Sequence, residues 1–382
     1  MVGDVTDRAQ APSGPLPPLT AIPADLQSLA DYERRAEAHL PPDIWRHIQS
    51  GAGAELSLAA NRAQYDRWRL IPRLLADMRA ATTALDLFGL RHAAPILLAP
   101  IAYHRLAHPQ GELATMTAAT ALDTTMIVST LSSIPLEEIA DAARSAAREL
   151  GKPAPPPLWF QLYLQPDRGH SAELVQRAEA AGYQVLVFTV DASIKRSGLT
   201  LPPGVEAANL RHMPRVTQSS GPADGQILLG TPLLDAAPTW DDLAWLRAAT
   251  RLPIVVKGLL SPDDARLARE HGADAIVVSN HGGRVLDGLA APLDMLPAMA
   301  GAVDGALPLL LDGGVRHGTD ALKALALGAS AVLIGRPQLH ALAVAGMQGV
   351  VHMLHMLRAE LELAMAQTGR ATLAAIDDSL LL

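Results

Sequence analysis

Residues 275–288, AIVVSNHGGRVLDG, pass from apolar strand-formers straight into side chains able to do chemistry. His281 and Arg284 stand three apart at the end of a buried strand, a base and a cation together, with Gly282 and Gly283 between them to let a ligand approach the backbone. The competing structural reading of SNHGG alone is a tight turn with an exposed histidine and arginine. An imidazole acting as proton acceptor needs a partner to orient it and stabilise its charge, and Asp191, at the end of the apolar run 185–190, is the candidate. Arg284 is suited to clamping a carboxylate. The pair describes removal of hydrogen from carbon or oxygen next to a carboxylate.

Such groups need a scaffold, and the chain supplies a rhythm. Eight short apolar runs rich in β-branched residues occupy 96–101, 125–130, 158–163, 185–190, 253–258, 275–280, 307–313 and 331–335. Most are separated by Ala/Leu/Glu/Arg-rich segments of helical pattern such as SAELVQRAEAAG and GTDALKALALG. Parallel strands need helical crossovers and a closed sheet leaves no edge, so eight such units predict a (β/α)8 TIM barrel. Residues 26–49 read as a helical extension before the barrel, and 192–239, rich in Gly, Pro, Ser and Asp, as a long lid-like loop after the fourth strand. Residues 1–25 read as a loose tail and 26–382 as one domain. GAGAEL (51–56) follows no strand, so its glycines read as turn formers.

In a TIM barrel, chemistry sits at the C-terminal ends of the strands. Here those ends carry Pro100 and Ala102, Ser129, Gln161 and Tyr163, Thr189 and Asp191, Lys257, Ser279 to His281, Asp312, and Gly335 with Arg336. DGGVRHG (312–318) and IGRP (334–337) combine glycine-rich turns with arginine where helices begin, which makes an anion cradle for a phosphorylated ligand. Lys257, fixed on a strand facing the mouth, would stabilise negative charge on a bound conjugated ring, as a reduced flavin requires. The competing reading is the Schiff-base lysine of a phosphate-binding aldolase or isomerase.

Composition narrows the partners. With 31 basic and 39 acidic residues and no Lys/Arg-rich run, a nucleic-acid footprint is not indicated. The apolar runs are far shorter than the roughly 20 residues a membrane helix needs, so the partner expected is a small molecule. The N-terminal stretch carries an early acid and several prolines, which argues against a secretory signal and leaves the cytoplasm as the default. The absence of cysteine excludes disulfides and thiolate metal sites. His352 and His355 share a helix face in 340–367 but read as packing or surface residues, with no metal expected.

These motifs resemble the FMN-dependent α-hydroxy acid oxidases and dehydrogenases, the family of glycolate, lactate and mandelate enzymes. The resemblance runs from about residue 26 to the C-terminus. It rests on LAP-x-A…HP-x-GE (98–112), TLSS (130–133), FQLY (160–163), TVD (189–191), P-x-x-x-KG (253–258), SNHGGR-x-LDG (279–288), LDGGVR-x-GTD (311–320) and ALALGA…IGRP (324–337). YHRLAHPQGELA and STLSSIPLEE look most like the hydroxymandelate branch.

The resemblance implies that Lys257, Ser129, Gln161, Thr189, Ser279 and the backbone from Pro100 to Ala102 hold the isoalloxazine of FMN. It implies that Asp312, Gly314, Arg316, Gly335 and Arg336 hold its phosphate. His281 would be the base, Asp191 its partner, Arg284 the carboxylate clamp and Tyr163 a donor to substrate oxygens. Electrons would pass to FMN and then to O2 or another acceptor, in a homotetramer or octamer.

Two departures stand out. His47 occupies the position of an early-helix tyrosine that contacts substrate in the family, and DASIKRSGLTLPPG (191–204) replaces a D-x-P-x-x-G-x-R pattern carrying a second arginine, for which Lys195 or Arg196 would have to substitute. These changes, with Gly198, open the range of substrates to aromatic or bulky hydroxy acids, carrier-bound hydroxyacyl groups, amines or peptide ends. A flavin-binding protein without catalysis is the remaining alternative.

Overall fold

The computed structural model describes residues 14–192, 199–213, 229, 234 and 237–382. Lys195, Arg196, Gly198 and much of the expected lid lie outside the described residues. All eight expected strands are present: β3 (Ile96–Leu98), β4 (Ile127–Ser129), β5 (Trp159–Leu162), β6 (Val185–Thr189), β7 (Ile254–Leu259), β8 (Ala275–Val278), β9 (Leu309–Leu311) and β10 (Ala331–Ile334). They pair in parallel in the order β3-β10-β9-β8-β7-β6-β5-β4, and a parallel bridge from Leu98 to Met126 closes the ring. The fold is a (β/α)8 TIM barrel.

Strand alternation explains how this sequence fills the cylinder. Side chains two apart share a face, and Leu97, Ile127, Trp159, Val185, Val187, Val255, Ala275, Val277, Leu310, Ala331 and Leu333 form one buried interior cluster. Their neighbours, among them Leu98, Val128, Phe160, Leu186, Val256, Ile276 and Val332, pack outward against the helices in a second and larger core. The wall is therefore apolar on both faces, as buried parallel strands require. Continuing the inward series by one more step gives Ser129, Gln161, Thr189, Lys257, Ser279 and Asp312, all buried, so the interior becomes polar only at its C-terminal mouth.

A short antiparallel hairpin, β1 (Leu85–Leu87) and β2 (Leu90–His92), precedes the barrel strands and stands outside the eight-unit rhythm. Leu85, Leu87, Phe88 and Leu90 join the interior cluster, and the rings of Phe88 and His92 lie 5.8 Å from that of Trp159. The hairpin plugs the base of the barrel.

The helical extension is broken where its prolines fall. Helix α1 (Leu29–His39) is capped by the Ser28 side chain, and α2 (Pro42–Gln49) begins afresh after Pro41, because proline lacks the N–H that would continue α1. Helix α3 (Leu56–Asp66) follows GAGAEL, whose residues make the turn as expected. The crossover helices are α4 (Gly111–Ala121), α5 (Leu136–Glu149), α6 (Arg168–Ala181), α7 (Trp240–Ala249), α8 (Pro262–Glu270), α9 (Pro292–Val303) and α10 (Gly318–Ala326). The last, α11 (Arg336–Gln367), starts four residues earlier than the periodicity indicated and kinks at Ala345–Gly346. On it, His352 hydrogen-bonds the Tyr32 hydroxyl at 3.0 Å. Among the described residues no group of side chains is suited to hold a metal, and no helix is long and apolar enough to cross a membrane.

Candidate active site

The polar mouth layer is wired together but incomplete. Ser129 donates to Gln161 Oε1 at 3.1 Å, and Lys257 Nζ donates to Ser279 Oγ and to Asp312 Oδ2, both at 2.9 Å. Burial disfavours the Lys257 ammonium, yet Asp312 and Asp191 outweigh it and hold the amine above its ordinary range. A lysine held charged in this way is poorly suited to Schiff-base chemistry, which begins from the free amine. Among the described residues, Gln161 Nε2, Thr189 Oγ1, Asp191 Oδ2 and Asp312 Oδ1 are buried without a hydrogen-bond partner. Each such atom costs about 1–3 kcal/mol if left unmet, so four of them around one opening point to a guest with its own donors and acceptors. The heteroatom edge of an isoalloxazine fits a donor amide, a hydroxyl and a fixed cation.

The base is built by a bulge. Strand β7 shifts register against β8 between Lys257 and Leu259. Gly258 sits in that irregularity at φ +111°, where a Cβ would lie 2.5 Å from Asp191 Cγ. Only glycine leaves room for the carboxylate there. Asp191 Oδ1 meets His281 Nδ1 at 2.8 Å. Burial raises the carboxyl, but His281, Lys257 and their bonding bring it below its usual range, so Asp191 is ionised. An ionised partner places the imidazole hydrogen on Nδ1 and leaves the Nε2 lone pair free to accept a proton. His281 has the left-handed backbone angle φ 57° and is pinned by its N–H to Ser279 Oγ at 3.0 Å. Tyr163 follows β5, with its N–H on Thr130 Oγ1 at 3.1 Å. Burial and then Asp191 push its phenol well up, so it remains a donor.

The expected anion ligands are gathered at the same end, with their guanidiniums already engaged. Arg284 donates to the carbonyls of His47, Ile48 and Ser50 at 2.8–3.0 Å. Arg336 donates to Ile48, Gly282 and Ser50 at 2.9–3.1 Å. Arg316 lies 3.6 Å from Glu33 on α1. Burial, with Arg284 and Arg316 close by, pushes Arg336 down to about 9. A clustered cation under that pressure favours an added anion. Position 47 thus reaches Arg284 through its carbonyl.

On the side a Cβ would occupy, the glycines of SNHGG face the chain itself: a Cβ on Gly283 would lie 2.7 Å from Leu58 Cα, and one on Gly282 would lie 3.1 Å from Arg336. What approaches the backbone is helix α3 and an arginine of the chain itself.

Helix α3 roofs these loops through residues that no motif announced. Asn61 and Asn280 exchange reciprocal amide bonds at 2.8 and 2.7 Å, and the Tyr65 hydroxyl donates to Gly313 O at 3.1 Å. Asp287, in the LDG of the central motif, accepts from Ala54 and Ser57 and so ties the loop after β8 to the start of α3. We expect Asn61→Ala to cost about 1–3 kcal/mol, because it removes two buried amide bonds from Asn280, which keeps Ala290 O and Gly283 N as its other partners; urea denaturation of the variant measures it.

An oriented imidazole beside guanidiniums, set on a polar layer that calls for a ring, defines a flavin-dependent oxidoreductase. Residues 36–382 match the model of the FMN-dependent dehydrogenase family. An L-lactate oxidase of Alicycliphilus denitrificans is 49% identical over 94% of this chain and 97% of its own. A 4-hydroxymandelate oxidase of Amycolatopsis orientalis is 45% identical over 90% and 94%. A solved structure of mandelate oxidase with 3,3-difluoro-2-hydroxy-3-phenylpropionic acid superposes with a TM-score of 0.80, at 42% identity over 93% of this chain and 98% of that one. The chain belongs to the FMN-dependent dehydrogenase family, whose relatives here are 2-hydroxy acid oxidases. The aldolase, amine-oxidising and non-catalytic readings find no support in these comparisons.

Proposed function

We propose that this chain oxidises a small L-2-hydroxy acid to the 2-oxo acid, with L-lactate as the first candidate. The observation that carries the reading is the 2.8 Å Asp191–His281 pair, set among arginines at the polar mouth of the barrel. FMN, when bound, supplies the ring that accepts two electrons and passes them on to O2, as the oxidase names of the relatives suggest. Ser129, Gln161, Thr189, Lys257, Ser279 and the backbone from Pro100 to Ala102 hold its ring, while Asp312, Gly314, Arg316, Gly335 and Arg336 hold its ribityl phosphate end. His281 Nε2 takes a proton from the substrate, and Asp191 stabilises the imidazolium that results. Tyr163 donates to a substrate oxygen, and Arg284 faces the carboxylate. Lys257 keeps a fixed positive charge where negative charge gathers.

A second reading, an aromatic substrate such as mandelate, is favoured by the 4-hydroxymandelate oxidase relative and the mandelate oxidase structure. We also propose that 26–382 form one domain, assembled as a homotetramer or octamer in the cytoplasm.

Purified protein carrying FMN, titrated anaerobically with L-lactate, mandelate and glycolate, tests the function. Bleaching of the flavin by one of them, and formation of hydrogen peroxide once air is admitted, is the expected result. A flavin that stays oxidised with all three sinks it.

A further inference from the structure

The last turn of α2 lies between the two guanidiniums that the proposed function assigns to different anions, and it serves both. An arginine has five N–H donors. Arg284 spends both hydrogens of Nη1 on Ile48 O and Ser50 O and one hydrogen of Nη2 on His47 O. Among the described residues that leaves Nε–H and one Nη2–H, donors on adjacent nitrogens, for a carboxylate. Arg336 spends Nε–H on Ile48 O, one Nη2–H on Ser50 O and one Nη1–H on Gly282 O. Among the described residues one hydrogen remains on each terminal nitrogen, donors available to a phosphate. The carbonyls of Ile48 and Ser50 are shared by both side chains. They belong to the C-terminal end of a helix, where unsatisfied carbonyls carry partial negative charge and attract cations.

The rest of α2 is anchored through its own side chains. Gln49 Nε2 donates to Glu33 Oε1 at 3.0 Å, and the Trp45 ring lies 5.7 Å from that of the buried His340 on α11. These contacts determine where the shared carbonyls sit. Moving them by a few tenths of an ångström would turn both guanidiniums together.

We infer that the last turn of α2 is the positioning element for Arg284 and Arg336, and that it couples a carboxylate at the first to a phosphate at the second. The inference rests on the proposed function. Trp45 acts on the two arginines through the carbonyls of its own helix, whereas Gln49 also bonds Glu33, which lies 3.6 Å from Arg316.

In the FMN-loaded enzyme, Trp45→Leu and Gln49→Leu are each expected to raise the KM of L-lactate about tenfold, within the span of ordinary coupling energies, and to leave kcat within about twofold. The Michaelis or inhibition constant of L-lactamide, which lacks the carboxylate charge, is expected to stay put, and Trp45→Phe to restore the wild-type KM. Constants for acid and amide that rise together, or that stay unchanged in both variants, overturn the inference.

A measurement on the wild-type holoenzyme needs no variant. The dissociation constant of FMN is read at saturating pyruvate and at saturating pyruvamide, and by reciprocity pyruvate should tighten FMN at least about threefold more. Equal tightening overturns the coupling. If no 2-hydroxy acid bleaches the flavin, the functional reading has failed; if L-lactate is oxidised while acid and amide respond alike, only this inference has.

Discussion

His281→Ala is expected to purify yellow and to lose roughly 10²-fold or more in the rate of anaerobic flavin reduction, the loss that accompanies removal of a general base. The colour should survive because most residues assigned to the ring, Ser129, Gln161, Thr189 and Lys257 among them, lie on β4 to β7, whereas His281 reaches the mouth from the loop after β8. The same substitution leaves Asp191 buried without its nearest partner, although Lys257 still acts on it. Stopped-flow reduction by L-lactate, with flavin content measured on the same sample, separates chemistry from binding. An unchanged rate removes His281 from its role.

Lys257→Met is expected to cost about 3–5 kcal/mol, because it leaves the buried Asp312 carboxylate uncompensated in the mouth layer. The side chain of Lys257 is 4% exposed and that of Asp312 is 10% exposed, so water cannot take the place of the lost partner. Replacing both, as Lys257→Met with Asp312→Leu, should recover much of the stability, since an apolar pair of similar bulk removes the unpaired charge. Flavin reduction should not return with it. Thermal and urea unfolding of the single and double variants check the first expectation, and anaerobic reduction checks the second. A double variant as unstable as the single one would mean that Asp312 is not the group destabilised.

Much of this site was legible in the chain because a parallel barrel wall obeys a period of two. Once Val185, Val187 and Thr189 are read as one face, Thr189 must point into the mouth, and the same step takes Val255 to Lys257 and Val277 to Ser279. The strand endings therefore spell out most of the mouth layer in the sequence itself. The Asp191–His281 pairing was reachable by the same logic, since both residues follow strands directly.

What stayed hidden depends on segments with no such period. Asn61 lies on α3, an ordinary helix by pattern, and its pairing with Asn280 bridges more than two hundred residues of chain. The hairpin at 85–92 is too short to leave a clear alternation, and its role appears only when Phe88 and His92 meet Trp159. The glycines of SNHGG carried a true signal of close approach, but residue types alone do not say what approaches. In the same way Arg284 announces a need for oxygen acceptors, and the carbonyls of α2 that supply three of them carry no side-chain signature at all.

The plugged base also bears on traffic. With the cylinder filled by side chains and its lower end stoppered by the hairpin, the assembled mouth is the route by which substrate arrives and the keto acid departs. Turnover should therefore depend on the order in which guests pass one another, and a keto acid slow to leave would hold back reoxidation as well as the next substrate.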